Sequence, residues 1–234
     1  PHFCTGCWRT IVRMPTSRCS RCDRPFPSAI ETKNNPNHVC QPCLMRPPSY
    51  TRAWTLYPYT SPLRDAICLF KYQGKVSLAS ALGVLMTEQL PLLGRVDVIM
   101  PVPLHRERLR QREFNQSLLL ADHIGRVLGI PVSYTNLIRT TPSPPQTTLS
   151  KKSRLKNLRG AFALQYPDEI IKQRVLLIDD VFTTGTTVNE CAKSLRKAGS
   201  SDVLVLTLGR TLNLDLIPDR LHVPHRHHFE PFGV

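Results

Sequence analysis

The stretch Val175–Val188, VLLIDDVFTTGTTV, constrains this chain more than any other. Four consecutive apolar residues, Val175–Ile178, read as a short strand buried on both faces, as in a parallel sheet. Two adjacent carboxylates follow, then a Thr-Thr-Gly-Thr-Thr turn, then a helical pattern that places Val188, Cys191, Ala192 and Leu195 inward and stops at Gly199. Ligands of parallel α/β sheets sit at the C-terminal ends of the strands. Gly185 permits a tight turn and close approach of backbone to ligand. Amides at the start of the helix, with the four hydroxyls, form an anion cradle. Carboxylates cannot bind the anion itself, but they suit the hydroxyls of a sugar attached to it. The pattern therefore reads as a ribose phosphate site, with Asp179 and Asp180 on the 2′ and 3′ hydroxyls and Thr183, Thr184, Gly185, Thr186 and Thr187 on the 5′-phosphate. A capping Asp before a Thr-rich turn is the purely structural alternative. Neither a G-x-x-x-x-G-K-[ST] nor a G-x-G-x-x-G pattern is present, which leaves P-loop and dinucleotide-binding readings without support.

The rest of the chain fits an α/β domain. Residues 76–93 carry helical spacing. Val96–Pro103 reads as a buried strand ending in a proline loop, and Leu104–Arg112 as a basic loop. Asn115 caps a helix running to Leu128, with Leu120, Ile124, Val127 and Leu128 as its apolar face and Gly129 and Pro131 as its stop. Residues 139–160 form a long, polar, basic and proline-rich loop. Loops of this length are functional or disordered. Val203–Leu208 is a further buried strand. Three segments are expected: a Cys-rich module over 1–50, the α/β domain over 51–212, and a Pro/His-rich, poorly ordered tail over 213–234.

Six of the eight cysteines fall in the first segment as three C-x-x-C pairs. Cys19, Cys22, Cys40 and Cys43 have the C-x2-C-x17-C-x2-C spacing of a zinc ribbon, in which two knuckles aim four thiolates at one tetrahedral ion. A segment this poor in apolar periodicity needs such a staple. Cys4 and Cys7 either hold a second zinc with an upstream pair or compete for the first. Cys68 and Cys191 read as core residues. Paired cysteines without a secretory signal indicate reduced thiols and a cytoplasmic address. No apolar run is long enough to span a membrane.

Formal net charge is +14, from 31 Lys and Arg against 17 Asp and Glu. That imbalance favours polyanionic partners. Arg106, Arg108 and Arg112, with Lys151, Lys152 and Lys156 of the long loop, are the nucleic-acid-binding candidates; a solvated basic face is the plainer reading of each group. Trp8, Trp54, Tyr57, Tyr59 and Tyr72 flank basic residues and are candidates for stacking bases.

The acid–threonine motif resembles the phosphoribosyl pyrophosphate signature of type I phosphoribosyltransferases. From Cys4 to about residue 212 the chain resembles the ComF family of competence proteins, relatives of amidophosphoribosyltransferase. The resemblance is carried by the cysteine pairs, by Val102–Gln116 (VPL-H-x-x-R-x-x-x-R-x-FNQ), by Arg139-Thr140, Gln146 and Arg154-x-x-Asn157, and by Gly160-Ala161-Phe162. Glu113 departs from it, since the family usually has Gly before FNQ. The resemblance implies a type I phosphoribosyltransferase fold: a twisted, mostly parallel sheet flanked by helices, preceded by the small zinc module. It implies a pyrophosphate loop at Pro101–His105, with Pro103, Leu104 and His105 on the ligand, and a closing loop over 139–160. Asp179, Asp180 and Arg154 would be catalytic, with Mg2+ carried by phosphoribosyl pyrophosphate and Zn2+ as a structural ion. It also implies a role in DNA uptake, with single-stranded DNA and a DNA-uptake helicase or recombination proteins as partners. A non-catalytic, zinc-dependent single-strand-binding adaptor built on the same scaffold is the alternative.

Overall fold

The computed structural model describes residues 3–28, 35–141 and 158–212. Its centre is a four-stranded, wholly parallel sheet. Strands β1 (Arg52–Pro58), β2 (Val98–Pro101), β5 (Arg174–Phe182) and β6 (Asp202–Arg210) lie in the order β1-β6-β5-β2. Val175 of β5 stands between Val98 of β2 and Val203 of β6. Both central strands are apolar on both faces, as a sheet covered on each side requires.

Because successive strand residues face opposite ways, the sheet has two cores. Leu176, Ile178, Leu204 and Leu206 pack with helices α3 (Leu63–Tyr72), α4 (Leu78–Glu88) and α6 (Gln116–Leu128). Val175, Leu177, Val203 and Val205 pack with α7 (Thr186–Lys197) and with four cysteine side chains. The α/β class expected from the sequence is the one observed. A separate antiparallel pair, β3 (Leu137–Arg139) with β4 (Phe162–Leu164), brackets the long loop.

Several local expectations are corrected. Leu104–Arg112 is not wholly a loop: Arg106–Arg112 forms helix α5, with His105 at its N-cap. R-E-R-L-R-Q-R consists of good helix formers, but Leu109 is its only apolar residue and is exposed, so no periodicity announces it. On α6 the inward stripe is Leu120, Ala121 and Ile124, while Val127 is 55% and Leu128 37% exposed. Gly125 explains the rotation: a Cβ there would lie 2.5 Å from Val132, so the returning chain packs against that side of the helix. Cys191 is fully buried, whereas Cys68 is half-buried against the Tyr59 hydroxyl. Trp54 and Tyr57 belong to the core, which removes them from base stacking; Tyr72, at 60% exposure, keeps its ring accessible. Glu113 ends α5 with φ of 66°, a left-handed conformation that glycine adopts without steric cost. The departure from the family pattern thus falls where that pattern's glycine has a backbone reason.

The cysteine-bearing segment is seated on the sheet by polar contacts. Asp23, almost wholly buried, accepts hydrogen bonds from the Thr55 amide (2.6 Å), the Thr55 hydroxyl (2.9 Å) and Arg18 (2.9 Å). Ala53 N–H donates to the Arg21 carbonyl, and buried Arg210 on β6 donates to the Cys22 carbonyl at 2.7 Å. Burial pushes the Asp23 carboxyl up, and the Arg18 charge and Thr55 donors pull against it. Removing one partner of a buried charged network leaves the others uncompensated. Asp23→Ala is expected to cost about 3–5 kcal/mol of unfolding free energy, read from urea denaturation midpoints, with Asp23→Asn costing less because the amide oxygen still serves Thr55.

Candidate functional site

The acid pair lies within β5 rather than just beyond it. The strand runs to Phe182, and Asp179 is paired in register with Thr207. Each carboxylate has one oxygen bound by a different element. Asp179 Oδ1 accepts from Ser117 Oγ on α6 and from the Asp180 amide, both at 2.9 Å. Asp180 Oδ1 accepts from Lys71 Nζ, on the last turn of α3, at 2.7 Å. Among the described residues, nothing donates a hydrogen bond to either Oδ2. One oxygen of each carboxylate is therefore left unengaged by the described residues. Burial pushes Asp179 up to about 7, and the neighbouring Asp180 charge adds to the rise against the pull of Lys71 and Ser117.

The turn after β5 has the conformation that the sequence requires. Gly185 has φ of 76°, and a Cβ there would stand 2.4 Å from the Phe182 ring, so both dihedral and space exclude a side chain. Thr184 and Thr186 share a hydrogen bond of 2.8 Å between hydroxyls. The first amides of α7 lack intrahelical acceptors and carry the positive end of its dipole. Asp179, Asp180 and Thr183–Thr187 thus stand together at one end of the sheet.

The expected pyrophosphate loop joins them. Val102 N–H donates to the Ile178 carbonyl, which fixes the start of Pro103-Leu104-His105 beside β5. Asn115 works on both sides: its Nδ2 donates to the Val102 carbonyl, and its Oδ1 accepts from the Ser117 amide. The F-N-Q-S segment therefore holds the loop and, through Ser117, one carboxylate. His105 Nδ1 accepts from the Glu107 amide at 3.4 Å as a helix cap. On α5, Arg106 is exposed and Arg108 half-buried. Arg112 is spent internally, donating to Gln116 Oε1 at 3.2 Å and lying 4.9 Å over the Tyr72 ring. Lys151, Lys152, Arg154 and Lys156, with Gln146 and Asn157, lie outside the described residues. Where the long loop re-enters the described chain, the Gly160 amide donates to Glu190 Oε2 on α7, so the loop is anchored beside the site.

Two site residues escape sequence reasoning. Ser117 follows F-N-Q, and Lys71 falls in F-K-Y-Q-G. Lys71 carries a legible signal: it follows Leu63 and Ile67 at four-residue steps, so a cation occupies the buried stripe of α3.

On the other core, the ligand atoms of Cys19, Cys22, Cys40 and Cys43 all lie within 4.8 Å of one another, and all four residues are buried. Cys22 Sγ and Cys40 Sγ are 3.7 Å apart. Tetrahedral thiolates about 2.3 Å from one ion stand about 3.8 Å from each other, so the cluster fits a metal ion. Hydrogen bonds from its neighbours, Cys22 first, push the Cys19 thiol down, and those to Cys19 push Cys22 and Cys43 up. Cys4 and Cys7 stand apart from the cluster. They flank the start of the short helix α1 (Thr5–Thr10), whose Trp8 packs on the opposite core. No helix among the described residues is long and apolar enough to cross a membrane.

No family model matches the chain. Among curated proteins, it is 33% identical over 216 residues to DNA utilization protein YhgH of Salmonella typhi, covering 90% of this chain and 91% of that protein. It is 34% identical over 218 residues to Competence protein F of Haemophilus influenzae, covering 89% and 90% respectively. Competence protein ComFC of Streptococcus pneumoniae is 24% identical over 210 residues, covering 89% and 87%. Among solved structures, an adenine phosphoribosyltransferase from Thermoanaerobacter pseudethanolicus overlaps 59% of this chain and 72% of its own, at 17% identity and a TM-score of 0.38.

The pKa of Asp179 has a consequence for stability. A carboxyl at about 7 in the fold, against an ordinary value of 3.8, keeps a proton that the unfolded chain has lost. Its contribution is full below the lower value and is lost as pH rises through the upper one. Asp179→Asn cannot titrate. The drop in melting temperature between about pH 5 and about pH 8 is expected to be smaller in this variant than in wild type; equal drops would mean that Asp179 is ionised throughout.

Proposed function

This chain belongs to the ComF family of competence proteins, and from that membership we propose that it binds phosphoribosyl pyrophosphate with Mg2+ and serves the uptake and use of DNA. The observation that carries the ligand is the acid pair. Asp179 and Asp180 each keep one oxygen unengaged among the described residues, on the strand that leads into a hydroxyl-rich turn and a helix start. The ribose hydroxyls donate to Asp179 and Asp180. The 5′-phosphate takes the amides and hydroxyls of Thr183–Thr187. The pyrophosphate lies along Pro103-Leu104-His105. Mg2+, bound to the pyrophosphate, would neutralise charge on the leaving group, and what this chain supplies is positioning. Transfer from such a donor passes through an oxocarbenium-like state, for which catalysis is mostly positioning and charge stabilisation. Arg154 and the basic residues of 139–160 would close over the ligand and exclude water.

A second reading has its own support in the charge of +14, which a transferase for small molecules does not need. In it, Arg106 and Arg108, with Lys151, Lys152 and Lys156, hold a single strand, and Tyr72 offers an exposed ring for stacking. Arg112 contributes by holding that ring. The four-thiol cluster holds Zn2+ as a structural ion, since an S4 site has no open position. Reduced thiols and a DNA-handling role fit the cytoplasm, where an uptake helicase and recombination proteins would be the partners.

Calorimetry with phosphoribosyl pyrophosphate and Mg2+ tests the first reading. Wild type is expected to bind, and Asp179→Asn/Asp180→Asn to lose at least tenfold in affinity, about 1.4 kcal/mol. Pyrophosphate release in the presence of candidate acceptors then reports turnover. No binding by folded, zinc-loaded protein sinks the ligand assignment. Salt titration tests the second reading. Each phosphate neutralised contributes a slope of about −0.7 in log K against log salt, so several contacts give a steep fall, and a slope near zero rules out a basic strand-binding surface.

A further inference from the structure

We propose that Lys71 is a specificity-determining positioning residue: as the resident counter-ion of the acid pair, it makes the pair a receptor for a neutral cis-diol and denies the pair to a free divalent cation. The diol half rests on the sugar-phosphate reading above; the cation half stands on the pair alone.

Two adjacent carboxylates with unengaged oxygens, beside a serine hydroxyl, are the donor set that hard divalent cations take up. At this site a cation is already in place. Lys71 Nζ is 2.7 Å from Asp180 Oδ1, and the two side chains are only 15% and 10% exposed, so solvent and salt screen the pair little. The amine cannot swing away cheaply. Lys71 follows Phe70 and lies one turn beyond Ile67, both fully buried. Ser117 spends its hydroxyl on Asp179. A dication entering here would meet an ammonium and would have to displace a buried ion pair. A diol meets no such barrier, because it brings two donors, no charge, and needs only the two free oxygens. Lys71 also restrains the rotamer of Asp180 by holding its Oδ1. The metal that accompanies a pyrophosphate ligand then arrives on the ligand and is not captured beforehand.

The experiment uses full-length, zinc-loaded protein with Lys71→Met, Lys71→Arg and Lys71→Met/Asp180→Asn. Two probes are applied separately: Mn2+ alone, followed by its paramagnetic resonance signal and by melting temperature, and ribose 5-phosphate, followed by calorimetry. Lys71→Met strands a buried carboxylate and is expected to melt early. Mn2+ is expected to bind this variant and to raise its melting temperature, while leaving wild type and Lys71→Arg unaffected. Lys71→Met/Asp180→Asn, with the charge removed, is expected to recover stability and to ignore Mn2+. Affinity for ribose 5-phosphate should fall at least tenfold in Lys71→Met and be retained in Lys71→Arg. Failure of Mn2+ to bind or rescue Lys71→Met overturns the proposal, as does uptake of Mn2+ by wild type at the same site. Unchanged sugar-phosphate binding in Lys71→Met also overturns it. If wild type binds no ribose 5-phosphate, the sugar-phosphate reading and the diol half fall together, and the Mn2+ results alone judge cation exclusion. Should Lys71→Met not fold even with Mn2+, Lys71→Gln is read by the same two probes.

Discussion

Two like charges on consecutive residues of a strand buried on both faces cannot be left to the solvent. β5 carries them because its four preceding residues fill the two cores, and the chain has no room to turn before Asp179. The cost of burying carboxylates is offset only by charges and donors brought from elsewhere. Lys71 comes from α3 and Ser117 from α6. The same serine belongs to the segment whose Asn115 grips the Val102 carbonyl, so the loop after β2 is positioned by the residues that satisfy the acids. The packing of three elements and the geometry of the site are therefore one problem with one solution. A change at Lys71 or Ser117 disturbs both, although neither residue need touch a ligand.

The opposite core follows the same logic with different groups. The segment around Cys19–Cys43 has too little apolar surface to fold alone. Its thiols pack into the cluster formed by Val175, Leu177, Val203 and Val205, and its one almost wholly buried carboxylate, Asp23, is shared between Arg18 and Thr55 of β1. Arg210 closes the contact from the end of β6, its guanidinium 4.5 Å over Phe182. Phe182 is also the ring that forbids a side chain at Gly185. A single aromatic thus separates the cysteine-bearing segment from the Thr183–Thr187 turn, and the seating of one bears on the shape of the other.

What the sequence disclosed follows from where the physics is local. The strand, the turn and the helix of VLLIDDVFTTGTTV are dictated by neighbours along the chain, so their order was legible, as was the knuckle spacing of Cys19–Cys43. Glu113 was legible as an oddity, and its left-handed φ supplies the reason. Helix α5 was hidden because its residues favour helix by propensity without presenting an apolar face, and pattern reading detects faces. Lys71 was hidden for another reason: its partner, Asp180, lies more than a hundred residues away, and only the fold brings them together. A cation at an apolar position of an amphipathic helix was the trace it left. Arg154 and the other basic residues of the long loop lie outside the described residues, and no local rule specifies where they stand.

Charge is distributed to match. Acids are drawn into internal pairs: Asp23 with Arg18, Asp180 with Lys71, Asp202 with Arg174 and Arg196, Asp122 with Arg126. Pairing at these sites leaves the excess of basic residues to set the outward field. A polyanion approaching the end of the sheet would be repelled by a bare acid pair. With Lys71 on Asp180 and burial pushing Asp179 up to about 7, the pair carries less negative charge than two free carboxylates. The positive end of α7 and the arginines of α5 then dominate the field at the mouth. On the proposed reading, this arrangement lets a strongly basic protein keep two carboxylates at the centre of an anion-binding site: Lys71 offsets their charge from within, and an oxygen of each remains for the part of the ligand that carries no charge.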